Sequence, residues 1–416
     1  MFTLESGTRQ LGSFLGARPE GLNTRMNDSN YHLETLATRF DRTDAGVNDA
    51  GDVVPPIHLS TTHEMHSPGE SEHGYKYTRF GNPTRDVLEE RLTGLCGAER
   101  AVTCASGTAA IAATCLSVVE AGDHVVAFEG IYGGTRLLFE DLLVDSLGAT
   151  VEYVDATDVD AVDAAVTGET ALVWIETPTN PLLRLCDLAA VGEIATAVDA
   201  TYVVDNTFAT PYFQRPLERG ADIVVHSTTK YLNGHSDSMG GAVLTDDHSL
   251  ADAVKHTQSY VLGGTLGPFD SYLTLRGLRT FPLRMDRHET NAGELARYLD
   301  GHLSVAHVNY PGLQHHPQHH LAREQMDGFG GIVSFELDAT AAETRAVLEA
   351  LDVFTLAVSL GGTESLVDHP ATMSASYLTD TEREAAGISD SLVRLAVGVE
   401  HVDDLLTDLD QALENL

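Results

Sequence analysis

Lysine is scarce in this 416-residue chain, which contains only three. Lysine and arginine together number 25 against 62 acidic residues, and the formal net charge is −37 at pH 7. Nucleic-acid binding needs Lys and Arg patches that contact phosphates, so this composition argues against it. Acidic residues in such excess repel one another unless salt screens them, which indicates adaptation to a high-salt cytoplasm. The alternative is a moderately acidic protein that functions at ordinary salt concentration.

Cysteine and long apolar runs are also few. The four cysteines form no Cys-x-x-Cys pair, so we expect no disulfide and no zinc site, as suits a reducing cytoplasm. No apolar run reaches the roughly 18 residues that a membrane-spanning helix needs, and the N-terminus lacks the pattern of a signal peptide. We therefore predict a cytoplasmic protein without membrane contact. The cysteines are Cys96, Cys104, Cys115 and Cys186.

The N-terminal part of the chain is irregular, and residues 1–30 are predicted to form a disordered extension. Translation could start at Met1 or at Met26, and the sequence leaves both open. An apolar periodicity from residue 33 to residue 40 indicates that ordered structure begins near residue 31.

Short apolar strands and helical stretches alternate from about residue 100 onward. This alternation predicts an α/β domain in which helices cover both faces of a mostly parallel sheet. The predicted helices include residues 106–120 and 188–198, and the predicted strands are residues 124–128, 151–154, 171–175, 202–204, 222–225 and 241–244.

The pattern changes after about residue 275 and indicates a smaller α+β domain. We therefore assign residues 81–275 to a large domain and residues 276–416 to a C-terminal domain. In the second, predicted strands 332–337 and 392–397 flank predicted helices 341–351 and 402–413.

Two polar residues follow neighbouring apolar strands of the predicted sheet. Lys230 comes after the strand at 222–225 and a Ser-Thr-Thr run, and Asp205 comes directly after the strand at 202–204. Ligand sites of such sheets lie beyond the carboxyl ends of the strands. A surface lysine and a helix-capping aspartate are the alternatives. A lysine that forms an imine and a carboxylate beside a ring nitrogen are the groups that pyridoxal 5'-phosphate (PLP) most needs.

A phosphate cradle is predicted where Ser106, Gly107 and Thr108 precede an Ala-rich helix. The N–H groups at a helix N-terminus can bind a dianion, although a simple helix cap fits the same residues. Hydroxyl and guanidinium groups elsewhere could add contacts to the phosphate. The candidates for these contacts are Ser227, Thr229, Tyr77 and Arg79.

Two further residues suit the cofactor ring and the substrate. Tyr132 follows a strand and stands among glycines, so its ring is free to stack on a pyridine ring; a plain turn with a tyrosine is the alternative. Arg394 interrupts the apolar strand 392–397, and a buried arginine needs an anion. That anion is either a structural carboxylate or the α-carboxylate of an amino-acid substrate, and we favour the substrate.

These residues together resemble the Cys/Met-metabolism family of PLP-dependent enzymes, from about residue 31 to the C-terminus. Its members include cystathionine γ-synthase, cystathionine γ-lyase, methionine γ-lyase and O-acetylhomoserine sulfhydrylase. The matching stretches are Tyr-Thr-Arg-Phe-Gly-Asn-Pro-Thr-Arg (77–85), Tyr-Gly-Gly-Thr (132–135), Glu-Thr-Pro-Thr-Asn-Pro (176–181), Val-Asp-Asn-Thr-Phe (204–208), His-Ser-Thr-Thr-Lys-Tyr-Leu-Asn-Gly-His-Ser-Asp (226–237), Ser-Leu-Gly-Gly-Thr-Glu-Ser-Leu (359–366) and Leu-Val-Arg-Leu-Ala-Val-Gly-Val-Glu (392–400).

The resemblance implies an α/β PLP-dependent transferase of fold type I, with a mostly parallel, seven-stranded type of sheet in the large domain. It also implies a homotetramer, built as a dimer of dimers with active sites shared between subunits. Residues 31–80 would then form an arm that reaches the neighbouring subunit, where Tyr77 and Arg79 would bind the phosphate.

The resemblance also implies roles for individual residues. Lys230, Tyr132 and Asp205 would be catalytic, with Tyr132 stacking on the ring and helping in proton transfer. Asn180 would bond the phenolic oxygen of the ring and the substrate carboxylate. Ser359 and Arg394 would hold that same carboxylate.

Within the family, Gly134 and Glu364 favour the cystathionine branch. Methionine γ-lyases usually carry a cysteine at the position of Gly134, and the loop with Glu364, a candidate substrate contact, looks like that of cystathionine γ-synthases and γ-lyases. We expect chemistry at C4 of homoserine-derived amino acids in transsulfuration, methionine biosynthesis and cysteine metabolism. Cystathionine γ-synthase, which joins O-acylhomoserine and cysteine, is the first choice. Cystathionine γ-lyase is the alternative, and methionine γ-lyase and O-acylhomoserine sulfhydrylase are less favoured.

Lys76 departs from the family pattern, in which an acidic residue often precedes the tyrosine. A lysine facing the pocket would favour a carboxylate such as a succinyl ester, whereas a lysine in solvent would have no effect. The histidine-rich stretch 315–320 has a spacing that permits metal binding, but a similar family segment has no metal role, and we predict no metal. A nucleotide-binding oxidoreductase would need a Gly-x-Gly-x-x-Gly turn, which the chain lacks.

Overall fold

The computed structural model describes residues 31–39, 52–71, 73–414 and 416. The extension predicted for residues 1–30 lies outside the described residues. The described chain forms two sheets, one with seven strands and one with five, and helices pack against both.

The larger sheet has the order β1-β7-β6-β5-β4-β2-β3, and β7 alone runs antiparallel to its neighbours. The six strands predicted for this region are confirmed, and β1 was missed. The antiparallel direction of β7 has a local cause. A parallel pairing of β7 with β6 would need a long crossover connection, and the segment 227–240 between them contains no helix. The strands are β1 Arg100–Cys104, β2 His124–Phe128, β3 Thr150–Val154, β4 Thr170–Glu176, β5 Thr201–Asp205, β6 Ile223–His226 and β7 Gly241–Thr245.

Helices surround this sheet, and capping residues define where several of them begin. The Asn82 side chain accepts from the backbone N–H of Thr84 at 3.0 Å at the start of α2, and Gly97 ends that helix with a positive φ of 70°. The helices of this part are α1 Leu33–Thr38, α2 Pro83–Cys96, α3 Gly107–Val118, α4 Gly133–Leu138, α5 Val159–Ala165, α6 Leu188–Ala197, α7 Thr210–Phe213, α8 His248–His256 and α9 Pro268–Leu278. Two π-helical segments, Phe139–Val144 and Thr257–Leu262, and a 3₁₀ turn, Pro216–Arg219, complete the set.

The second sheet has the order β10-β11-β12-β9-β8 and is antiparallel except between β10 and β11. This sheet and its helices confirm the smaller α+β unit expected from the sequence. The strands are β8 Val305–Asn309, β9 Ile332–Leu337, β10 Thr355–Leu356, β11 Leu366–Asp368 and β12 Leu392–Ala396. The helices are α10 Phe281–Asp300, α11 His319–Gln325, α12 Ala341–Glu349, α13 Asp380–Ala385 and α14 Val402–Leu413.

The long helix α10 joins the two hydrophobic cores. Phe281 and Met285 near its start belong to the core of the large sheet, whereas Leu295 and Leu299 near its end belong to the core of the second sheet. The predicted boundary between residues 275 and 276 falls inside α9, and the division into an arm and two domains stays a prediction. None of the described helices is long and apolar enough to cross a membrane.

Candidate active site

Lys230 and Asp205 lie at the same edge of the large sheet. Asp205 is the last residue of β5, and β6 ends four residues before Lys230. The hydroxyl of Thr207 accepts a hydrogen bond from the backbone N–H of Ser227 at 2.9 Å, so the loops that follow the two strands are bonded to each other. The structure therefore brings the two segments together beyond the carboxyl ends of the strands, as the sequence indicated.

The amine of Lys230 is partly buried and donates to the hydroxyl oxygen of Ser359 at 2.6 Å. Burial and the nearby charge of Arg394 lower the pKa of Lys230 to about 8. A lysine with this pKa is neutral in about one molecule in ten at pH 7, far more than an exposed lysine, and the neutral amine is the nucleophilic form.

Asp205 is a buried carboxyl whose partners are few. Burial raises the pKa of Asp205 to about 6, and hydrogen bonds from Thr207 act in the opposite direction. The backbone N–H of Thr207 donates to Oδ1 at 3.0 Å. A cation beside this carboxyl would further favour its ionised form, so the site suits a protonated ring nitrogen.

The predicted phosphate cradle is assembled from two distant segments. Ser106 caps α3 by accepting from the backbone N–H of Ala109 at 3.0 Å. A Cβ added to Gly107 would lie 2.9 Å from the Cβ of Ser227, so the loop before Lys230 packs directly on this helix start. The side chains of Ser106 and Ser227 are half-buried there, whereas Thr108 is exposed. This arrangement fits an anion at the N-terminus of α3.

The hydroxyl of Thr229 is already hydrogen-bonded within the protein, whereas the sequence suggested that it could donate to a phosphate. This hydroxyl donates to the carbonyl of Gly240 at 3.1 Å and accepts from the N–H of the same residue at 3.0 Å. A hydroxyl has one proton, so a phosphate would have to compete for it. Its predicted role in cofactor binding stays a prediction.

The side chains of Tyr77 and Arg79 have their described contacts outside the Lys230 loop. Arg79 donates to the carbonyl of Ser259 at 2.6 Å and lies 4.6 Å from the centre of the Phe80 ring, and Tyr77 is 41% exposed. Among the described residues neither side chain has a hydrogen bond to Ser227 or Lys230. Their predicted role in a neighbouring subunit remains untested.

Tyr132 stands directly before α4, and 47% of its surface is exposed. Its backbone N–H donates to Oε2 of Glu176 at 2.6 Å. A Cβ added to Gly134 would collide with the Tyr132 ring, so this ring can occupy its observed position only because residue 134 is a glycine. The ring is therefore accessible for stacking, while its backbone is fixed.

Arg394 is 3% exposed, and its guanidinium has several partners. It donates to Oδ1 of Asn180 at 2.8 Å and to the carbonyl of Ser359 at 3.0 Å, and it lies 3.5 Å from Asp368. Its Nε has no hydrogen-bond partner among the described residues. The structural carboxylate considered from the sequence is thus present, and an orphaned buried donor remains for an added anion.

Glu364 is placed near the Lys230 loop by two hydroxyl groups. Its carboxylate accepts from the hydroxyls of Ser236 and Thr363. Within the described part of the chain, no hydrogen bond joins Glu364 to Lys230 or Arg394. The predicted contact with substrate stays a prediction.

Sequence reasoning assigned no role to three residues that the structure places at this site. Glu176 ends β4 just as Asp205 ends β5, so the strand-end criterion could have found it. Asp368 faces Arg394 across β11 and β12, and sequence spacing gives no sign of that pairing. Tyr377 covers Gly133 beside Tyr132 from a distant loop.

The site as a whole fits pyridoxal 5'-phosphate. It offers an amine with a lowered pKa, a buried carboxyl, an accessible aromatic ring and a helix start beside a serine hydroxyl. In the histidine-rich stretch, His315 lies 3.4 Å from Asp300. No group of three metal-ligating side chains occurs among the residues that the structure describes.

Comparisons with known proteins agree with this assignment. The profile of the family "Cys/Met metabolism PLP-dependent enzyme" matches residues 34–414. The chain is 45% identical to cystathionine β-lyase of Coxiella burnetii, covering 94% of this chain and 100% of the relative. It is 44% identical to cystathionine γ-lyase of Dictyostelium discoideum, covering 88% and 94%.

A solved structure is similar as well. Cystathionine γ-synthase of Xanthomonas oryzae pv. oryzae in complex with cystathionine superposes with a TM-score of 0.88 at 44% identity, covering 92% of this chain and 98% of that one. The fold is that of PLP-dependent enzymes of fold type I. The chain belongs to the Cys/Met metabolism family of PLP-dependent enzymes.

Proposed function

We propose that this protein is a cystathionine γ-synthase, which binds pyridoxal 5'-phosphate at Lys230 and joins an O-acylhomoserine to cysteine. The observation that carries the proposal is the linked group of Lys230, Ser359 and Arg394. It places a nucleophilic amine beside a buried guanidinium that can bind the α-carboxylate of an amino acid. Small amino acids are therefore the proposed substrates.

Each residue has a defined task in this proposal. Pyridoxal phosphate, when bound, supplies an electron sink for negative charge that develops at the substrate Cα. The neutral amine of Lys230 accepts the proton from that Cα and later returns it, and Ser359 orients the amine. Asp205 holds the proton on the ring nitrogen.

Binding is divided among the remaining residues. The start of α3 at Ser106, Gly107 and Thr108, with Ser227, holds the phosphate. Tyr132 stacks on the ring, and Asn180 bonds both the ring oxygen and the substrate carboxylate that Arg394 binds. We also propose a cytoplasmic homotetramer in which Tyr77 and Arg79 reach the phosphate of a neighbouring subunit.

The choice of synthesis over cleavage is supported by Lys76 and by the likeness to a solved γ-synthase. The side chain of Lys76 is half-buried, and in the pocket it would attract the distal carboxylate of a succinyl ester. Cleavage of cystathionine is the second candidate, because the relatives from Coxiella and Dictyostelium are cystathionine lyases.

Product analysis of the purified protein in concentrated salt tests the proposal. We expect cystathionine from O-succinyl- or O-acetylhomoserine with cysteine, and slower breakdown of cystathionine supplied alone. Faster release of cysteine or homocysteine from cystathionine would assign the protein to the lyases instead. Mass spectrometry of all products separates cleavage on the two sides of sulfur.

Two lysine variants provide a matched control. Lys230→Arg should lose the visible absorption of the covalently bound cofactor and all turnover, because a guanidinium does not form the imine. Lys255→Arg keeps a cation beside Glu89, which Lys255 contacts at 3.4 Å, and should retain both properties. Turnover by Lys230→Arg at the rate of the unchanged protein would refute the assignment of Lys230.

The role of Lys76 needs its own variant. Lys76→Glu should weaken use of O-succinylhomoserine more than use of O-acetylhomoserine, because only the succinyl ester carries a distal carboxylate. An equal effect on both esters would place the lysine outside the substrate pocket. The ratio of the two kcat/KM values is the measurement.

A further inference from the structure

Glu176 is a buried carboxyl that interacts with the backbone of both loops carrying Tyr132 and Asn180. It ends β4 and is 5% exposed. Its Oε2 accepts from the backbone N–H of Tyr132 at 2.6 Å, and the backbone N–H of Asn180 interacts with the same carboxyl and favours its charged form. One side chain thus joins the residue proposed to stack on the ring to the residue proposed to bond its phenolic oxygen.

The position of Glu176 relative to Asp205 defines its charge. The two residues are direct partners in the register of β4 and β5. Burial and the charge of Asp205 raise the pKa of Glu176 well above its usual range. Two adjacent buried carboxyls do not both ionise easily, so Glu176 retains a proton while Asp205 carries the negative charge.

The other contacts of the Tyr132 segment do not involve its N–H group: Ile131 before it is buried, and the Tyr132 carbonyl accepts from the backbone N–H groups of Thr135 and Arg136. Gly133 and Gly134 follow it and contribute no side chains, and the Tyr132 ring itself is nearly half exposed. Without an acceptor at Glu176, the backbone N–H groups of Tyr132 and Asn180 would lose this partner. The loops would then move to recover hydrogen bonds, and the ring would move with them.

We propose that Glu176 is a positioning residue that fixes Tyr132 and Asn180 relative to Lys230 through their backbone N–H groups. This inference rests on the proposed function for the stacking role of Tyr132. The acceptor oxygen is the essential feature, and a negative charge on Glu176 is not required.

Three substitutions at this position separate the acceptor from the charge. Glu176→Gln keeps a carbonyl oxygen in place and should retain the properties of the unchanged protein. Glu176→Ala removes the acceptor and should lower kcat/KM by about tenfold or more. Glu176→Asp is shorter by one methylene and should resemble the alanine variant. Glu129→Gln, at an exposed carboxylate of the same loop, is the matched control and should change nothing.

Circular dichroism of the bound cofactor reads the ring environment without any substrate. We expect an altered visible band for Glu176→Ala and Glu176→Asp, and an unchanged band for Glu176→Gln. A normal band in Glu176→Ala would overturn the inference, and so would a glutamine variant as impaired as the alanine variant. If Glu176→Ala does not fold, the aspartate and glutamine variants decide the same question.

A double-mutant cycle tests whether Glu176 acts through Tyr132. Tyr132→Ala should cost much less in the Glu176→Ala background than in the unchanged protein, because the ring is already displaced. Additive effects would contradict the positioning role. Failure of the proposed function looks different, because the unchanged protein would then show no visible band and no turnover.

Discussion

Ser359 stands between the two cations of the site. Its hydroxyl oxygen accepts a hydrogen bond from Lys230 at 2.6 Å, and its carbonyl oxygen accepts one from Arg394 at 3.0 Å. A single residue therefore sets the separation of the amine and the guanidinium. Through this separation the charge of Arg394 contributes to the lowered pKa of Lys230.

The reactivity of Lys230 should follow from this arrangement. Labelling of the cofactor-free protein with an amine-specific reagent, followed by mass spectrometry, should show half-maximal reactivity of Lys230 near pH 8. Arg394→Gln removes a nearby positive charge and should move this midpoint to higher pH. Arg297→Gln, on an exposed arginine, should leave it unchanged. A midpoint that is the same in all three proteins would contradict the electrostatic coupling.

Ser359 has a backbone conformation that L-residues rarely adopt, with φ at +90°. Glycine takes such a conformation without steric cost, whereas alanine has a Cβ and retains the strain of serine. Both Ser359→Gly and Ser359→Ala remove the hydroxyl that contacts Lys230. We expect the glycine variant to be more stable than the alanine variant by about 1 kcal/mol. Denaturant unfolding of the cofactor-free proteins is the measurement, and equal stabilities would show that the conformation carries no strain.

The residues that sequence analysis found share a local signal. Asp205 and Lys230 follow apolar strands, and Arg394 interrupts one, so each is visible within a window of a few residues. The rule that parallel strands end at a common edge then predicts that the first two meet. The alternation of strands and helices predicted the large sheet for the same reason.

The contacts that sequence analysis missed join distant positions. Tyr132 and Glu176 are 44 residues apart, and Asp368 and Arg394 are 26 apart. Their meeting depends on the order of strands in each sheet, which periodicity does not specify. The hydrogen bonds between Thr229 and Gly240 likewise depend on β7 running antiparallel to β6.

Buried neutral histidines should make the protein sensitive to acid. Burial lowers the pKa of His226 to about 3 and those of His288 and His316 to about 4, from 6.5 in an exposed state. The unfolded chain then binds more protons than the folded one below pH 6.5, so stability falls as the pH decreases toward 4. Each histidine with a pKa of about 4 contributes a loss of about 2 kcal/mol at pH 5.

His288 offers a direct test of this pH dependence. His288→Gln removes one titrating group, and the fall in unfolding free energy between pH 7 and pH 5 should become smaller by about 2 kcal/mol. The side chain of His320 is 89% exposed, and His320→Gln should leave the pH dependence as it is. Urea titrations at several pH values give the comparison. An equal dependence of the unfolding free energy on pH in His288→Gln and the unchanged protein would contradict the prediction.

The large acidic excess should make stability depend on salt. With a net charge of −37, the folded chain carries strong self-repulsion, which weakens as the screening length falls from about 10 Å at 0.1 M to about 3 Å at 1 M salt. We therefore expect the unfolding temperature to rise by several degrees over this range.

Asp163→Lys provides the internal test, because it places a lysine three residues after the exposed Asp160 of α5. Its stabilising effect should be measurable at 0.1 M and should disappear at 1 M. A neutral osmolyte at equal osmolality should not reproduce this loss, since it screens no charge, and a difference between the two proteins that is independent of salt would show that repulsion is not the cause.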